Sequence, residues 1–125
     1  KFFKINRREA FRFKIPSAYE IPVTVVVDNQ SYEGRLFDLS LDGAGIWFRT
    51  QPNFKSGQNI QQVFFKLDNK EIYSLGEIKV CFPLENQKVM GVKIGVKLLK
   101  MEHQCQTHIM NYMNRHLSQY AKKIA

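Results

Sequence analysis

The chain reads as an all-β domain: a small antiparallel β-barrel of about six to seven strands followed by one C-terminal α-helix. Three observations predict this. Short alternating or β-branched apolar runs recur up to about residue 101. Asp28-Asn29-Gln30 and Asp68-Asn69-Lys70 interrupt them as hairpin-type turns. Beyond residue 101 the apolar period changes, with Ile109, Met113, Leu117, Tyr120 and Ile124 recurring at helical spacing and Lys122 and Lys123 in the last turn.

Phe11, Phe13 and Ile15 alternate with Arg12 and Lys14, a period of two that points Arg12 away from the core. Pro16 to Pro22 reads as an irregular entry, and Val23 to Val27 as a β-branched strand ending at the first turn. Ser31 to Asp38 and Ala44 to Arg49 are the next strands, and residues 50–59, with Pro52, Ser56 and Gly57, are a loop. Ile60 to Leu67 and Glu71 to Pro83 flank the second turn. Lys88 to Met101 completes the set, with Gly91 and Gly95 marking bends or bulges. A run of hairpin-joined strands closes most readily as a barrel, because closure removes the unpaired edges. This divides the chain into an arginine-bearing lead-in (1–15), a barrel (16–101) and a helix (102–125) that covers a barrel opening or engages a partner. Trp47 and Phe48 are adjacent, so one faces the core and the other faces out; the sequence does not say which.

At 125 residues, with 44% apolar residues, ten Phe and five Tyr, the chain is one folded domain. No run reaches the roughly 18 apolar residues of a membrane span. Lys4, Arg7 and Arg8 break up the opening stretch where a secretion signal would be apolar. The first residue is Lys1, not Met, which reads as a piece of a longer protein. Cys81 and Cys105 form no C-x-x-C pair and read as free thiols in a reducing cytoplasm. The net charge of +8 points to an anionic partner.

Two segments carry the chemistry. Arg8-Glu9-Ala10-Phe11-Arg12 is an R-x-x-x-R match, and Asp38-Leu39-Ser40-Leu41-Asp42-Gly43 is a D-x-S-x-x-G match. Guanidinium forks bind phosphate oxygens or the O6/N7 edge of guanine, and can also stack flat on a purine. A carboxylate at Asp38 can accept from the N1–H and N2–H₂ donors of guanine, and Ser40 adds a hydroxyl that both donates and accepts. Gly43 and Gly45 let a ligand approach the main chain. Together these are the groups that would hold a cyclic dinucleotide. Each segment has a plainer reading: Asp38 and Ser40 in an Asx-turn between strands, and Arg7 and Arg8 in a solvated basic tail.

The order of the two motifs and their β-rich setting resemble the PilZ family of cyclic di-GMP receptors, over essentially the whole chain. The resemblance implies that Arg8, Arg12, Asp38, Ser40 and Gly43 bind cyclic di-GMP, with the arginine segment wrapping the ligand against the barrel and with no catalysis. Arg7, directly before the motif, occupies the position where a basic residue accompanies binding of two stacked ligand molecules. Phe2-Phe3 resembles the interdomain linker of two-domain, flagellar-brake-like members. Leu98 departs from the family's usual Phe in the late strand. The implied partners are cyclic di-GMP and a protein such as a flagellar motor or secretion component controlling motility or exopolysaccharide.

Two other functions compete: a basic barrel binding single-stranded nucleic acid, and a family member that has lost the ligand and serves as an adaptor. The first lacks an RNP-type segment, and few basic–aromatic pairs stand together after residue 14; the intact motifs argue against the second. His103, Cys105 and His108, at offsets of two and five on a helix, do not share one face and give no metal site. No P-loop, dinucleotide fingerprint or activated nucleophile occurs, so neither an enzyme nor a cofactor is expected.

Overall fold

The structure is a computed structural model, and it describes residues 12–16, 20–50, 53–85 and 90–124. Among the described residues there are seven strands: β1 (Phe13–Lys14), β2 (Pro22–Val27), β3 (Gln30–Leu39), β4 (Gly43–Phe48), β5 (Asn59–Leu67), β6 (Lys70–Glu85) and β7 (Met90–Leu99). A helix, α1 (His103–Ile124), follows. The order is β1-β3-β2-β5-β6-β7-β4, and β4 also pairs with β3, so β2 to β7 close a six-stranded antiparallel barrel with β1 added beside the end of β3.

The two hairpin turns are where their side chains predict. Asp28 and Asn29 have φ of 52° and 64°, and Asp68 and Asn69 have 50° and 69°, the left-handed pair of a tight two-residue turn that Asp and Asn tolerate. Strand alternation then fills the interior. Val23, Val25, Ile46, Phe48, Val63, Phe65, Ile72, Ile78 and Ile94 are all essentially inaccessible. Phe48 therefore faces inward and Trp47 outward.

Three register shifts each insert one extra residue: Phe37 in β3, one residue between Ile60 and Val63 in β5, and Lys79 in β6. The shift in β3 decides the site. Simple alternation from buried Leu36 would turn Asp38 into the core and Leu39 out. With Phe37 inserted, Asp38 pairs with outward-facing Gly45, and Leu39 enters the core fully buried. Gly91, expected to mark a bend, has φ of 134°. Gly95 pairs with Val80 in regular register, so the bulge expected at Gly95 lies across from it, at Lys79 of the longer strand β6.

The helix covers the barrel mouth near the β5–β6 turn. Cys105, Ile109, Tyr112 and Met113 are buried against the barrel, while Met110, one residue from Ile109, is exposed. Arg115 donates to the Asp68 carboxylate of the β5–β6 turn, and Cys105 Sγ lies 3.7 Å from the Glu71 carbonyl oxygen. Phe13 meets Tyr112 edge-on at 6.1 Å between centroids, so the helix also touches β1. Both cysteines are free; Cys81 is half-buried, and burial pushes its thiol up from the ordinary range.

Candidate ligand-binding site

β1 is only two residues long, yet it fixes the placement of the second motif arginine. Phe13 pairs with Leu39 and Lys14 with Asp38, and the Ile15 amide donates to the Phe37 carbonyl at 3.0 Å. Arg12, the residue before β1, is thereby carried alongside the end of β3. Its Nη1 lies 3.3 Å from Asp38 Oδ1, with the guanidinium about half exposed and the carboxylate 10% exposed. The expected outward direction of Arg12 is what the structure shows.

Beneath this pair the D-x-S-x-x-G segment makes a compact turn. The Ser40 amide donates to the Gly43 carbonyl at 2.9 Å, and the Leu98 amide donates to the Asp42 carbonyl at 2.9 Å, pinning the turn to β7. Ser40 Oγ lies 3.3 Å from Asp42 Oδ1. A Cβ placed on Gly43 would stand 3.4 Å from Ser40 Oγ and 3.8 Å from Arg12 Nη2. Arg12, Asp38, Ser40 and Gly43 thus converge on one patch from segments 26 residues apart at the Arg12–Asp38 contact. Arg7 and Arg8 lie outside the described residues.

Asp38 is the buried carboxylate of the described barrel, and Gly45 makes room for it. A Cβ at Gly45 would sit 2.5 Å from Asp38 Oδ1. Gly45 also pairs with Gly95 of β7, where a Cβ would meet Val80 Cγ2 at 2.8 Å. On this stretch of the outer face the Asp38 carboxylate covers Gly45 and the Val80 side chain covers Gly95, each filling the space a Cβ would need. Lysines flank it in register: Lys97 opposite Gly43, and Lys93 opposite Trp47. Lys93 Nζ stands 3.9 Å from the centroid of the exposed Phe37 ring, with Lys14 Nζ at 6.0 Å on that ring.

Sequence reasoning missed the Gly45–Gly95 pairing, Phe37 and Lys93. Gly95 reads from sequence as a bend or bulge, and Lys93 gives no signal because its position on the site face depends on cross-strand register. The patch as a whole presents guanidinium and ammonium donors to an anion, and a fixed carboxylate and hydroxyl to a partner with paired N–H donors. His103 is exposed while Cys105 is buried against the barrel, so the two diverge. No group of three or more His, Cys, Asp or Glu arranged for a metal ion occurs among the described residues.

The PilZ domain family model matches residues 6–115. The structure is similar to the PilZ domain with c-di-GMP of YcgR from Escherichia coli, with a TM-score of 0.73 at 18% identity, covering 94% of this chain and 95% of that one. It is also similar to the K. pneumonia MrkH–c-di-GMP complex, with a TM-score of 0.80 at 16% identity, over 94% of this chain and 55% of that one. The Bacillus subtilis inhibitor of motility (MotI/DgrA) matches with a TM-score of 0.70 at 15% identity, over 90% and 52%. The chain spans about half the length of those last two proteins. No curated protein sequence matches it.

Proposed function

We propose that this chain, which belongs to the PilZ domain family, is a receptor domain for cyclic di-GMP that passes ligand binding on to a protein partner and performs no catalysis. The observation that carries this reading is the meeting of Arg12 and Asp38 at 3.3 Å over the Ser40–Gly43 turn. Two motifs that are far apart in sequence supply one patch with the donors and acceptors that a guanine nucleotide requires.

In this reading Arg12 and Asp38 hold each other in place until the ligand arrives. The guanidinium then forks onto a phosphate or a guanine O6/N7 edge, and the released carboxylate accepts from guanine N1–H and N2–H₂. Ser40 adds a hydroxyl contact. Arg8 supplies the second fork from the lead-in. The lead-in, held against the barrel by the ligand, passes the signal to a protein partner. A motility or exopolysaccharide machine is the proposed client; YcgR and MrkH bound to c-di-GMP, and an inhibitor of motility, are among the similar structures. A cytoplasmic location belongs to the same reading, supported by the free thiols of Cys81 and Cys105. No helix of the described residues is long and apolar enough to cross a membrane.

Calorimetric titration with cyclic di-GMP tests the proposal, with GTP and a single-stranded oligonucleotide as controls. Saturable heat with cyclic di-GMP alone is expected; binding of the oligonucleotide in its place overturns the reading. Asp38→Ala is expected to erode the preference for cyclic di-GMP over cyclic di-AMP, because the N1/N2 donor pair loses its acceptor. Equal binding of the two dinucleotides by the unaltered protein would show that Asp38 does not read the base.

Two stacked ligand molecules per chain are proposed, with Arg7 supporting the second against repulsion from the first at close range. Arg7→Leu is then expected to lower the stoichiometry from two towards one while the first molecule still binds tightly. Binding should also weaken with salt, more steeply for the exposed second molecule than for the first. A stoichiometry of one for the unaltered protein at saturation removes Arg7 from the site.

A further inference from the structure

We propose a second site on the outer barrel face: a crevice between β3 and β4 that takes an acidic side chain presented by a protein partner. The crevice has a volume of about 280 Å³ and is lined by Glu20, Pro22, Glu33, Arg35, Trp47 and Arg49. It lies on the same strand pair as Asp38 and Gly45, earlier in β3 and later in β4, where Arg35 pairs with Trp47.

Its unmet hydrogen-bonding capacity defines what it binds. The indole Nε1–H of Trp47 is covered from solvent and has no acceptor among the described residues. A buried N–H left this way carries its full desolvation cost, which an incoming oxygen would relieve. Two guanidiniums flank the same ring, Arg35 at 5.1 Å and Arg49 at 5.9 Å from the centroid. Arg35 is committed to Glu20, at 3.1 Å. Arg49 has no carboxylate partner among the described residues, and it is exposed, so it is the wall free to move. Indole N–H and guanidinium together form a donor set waiting for one carboxylate.

Glu33 decides between kinds of anion. It is exposed, with no ion pair among the described residues, and lines the same crevice. Glu33 repels a free phosphate, a dicarboxylate and a peptide carboxylate alike, and of these only the peptide also brings N–H donors for it. An acidic residue within a peptide satisfies both the donor set and Glu33, its carboxylate going to Arg49 and the indole N–H, its backbone amides donating to Glu33. The volume agrees: 280 Å³ is below the usual range for a small-molecule pocket and suits one anchoring side chain.

Trp47 is the single tryptophan of the chain, so one indole N–H resonance reports on the crevice. The test titrates the protein at constant ionic strength with a capped Gly-Glu-Gly peptide, a capped Gly-Gln-Gly peptide and inorganic phosphate, following that resonance and tryptophan emission. The expected result is a saturating shift with the Glu peptide, at least about tenfold weaker with the Gln peptide and with phosphate. Arg49→Gln should lose the shift while keeping an unchanged melting temperature, since Arg49 is exposed. An indole resonance that does not respond to the Glu peptide overturns the proposal. So does an equal response to phosphate, or an unchanged response in Arg49→Gln.

Discussion

Arg12→Ala is expected to abolish measurable cyclic di-GMP binding while the domain stays folded, and Arg8→Ala is expected to do the same. Each charge-assisted hydrogen bond is worth about 1.5–3 kcal/mol, roughly 10- to 150-fold in affinity, and a fork makes two of them. Loss of stacking on the purine adds about 0.5–2 kcal/mol. The effect on stability is far smaller. Arg12 is about half exposed, so its 3.3 Å contact with Asp38 is screened by water and contributes about 1 kcal/mol or less. Calorimetry paired with a thermal melt separates the two effects. Binding within about threefold of the unaltered protein would remove Arg12 from the site.

Gly45→Ala is expected to damage stability and binding together. The new Cβ would sit 2.5 Å from Asp38 Oδ1 and 3.0 Å from its Cγ, and Asp38 is a short side chain in a nearly closed place. Crowding of this kind costs about 1–3 kcal/mol, a fall of several degrees in melting temperature for a domain of this size. Asp38 must leave its position beside Arg12, so affinity and guanine selectivity should fall even at temperatures where the variant is folded. Gly57→Ala is the control. Gly57 has φ of 88° with open space around it, so alanine there strains the backbone at a distance from the site and should leave binding unchanged. Full affinity in folded Gly45→Ala would show that the Asp38 position is not used by the ligand.

Much of the fold was legible because its determinants are local. Asp28-Asn29 and Asp68-Asn69 choose positive φ by their own chemistry, and β-branched runs on either side choose strands. The helix was equally plain at Ile109 and Met113; Cys105 and Tyr112 share its buried face, and the side chains of Leu117, Tyr120 and Ile124 lie outside the described residues. The lead-in alternation placed Arg12 outside correctly, but among its described residues only Phe13 and Lys14 pair as a strand. The R-x-x-x-R and D-x-S-x-x-G segments were visible as motifs. Their relation came from resemblance, since no spacing rule brings Arg12 to Asp38.

By itself the sequence determined the turns, the inward and outward sides of regular strands, the helix, and the residue types able to hold a guanine nucleotide. All of these follow from preferences that a residue expresses within a few positions of itself. Tertiary structure alone decided the rest. The extra residue at Phe37 reverses the alternation, so Asp38 turns outward and Leu39 inward, and an insertion in register exists only relative to the opposite strand. Trp47 or Phe48 could each have filled the core; closure of β4 against β3 and β7 chose Phe48 and left Trp47 between Arg35 and Arg49. The room that Gly45 leaves for the Asp38 carboxylate has the same origin, because Gly45 and Asp38 come together only when β4 pairs with β3.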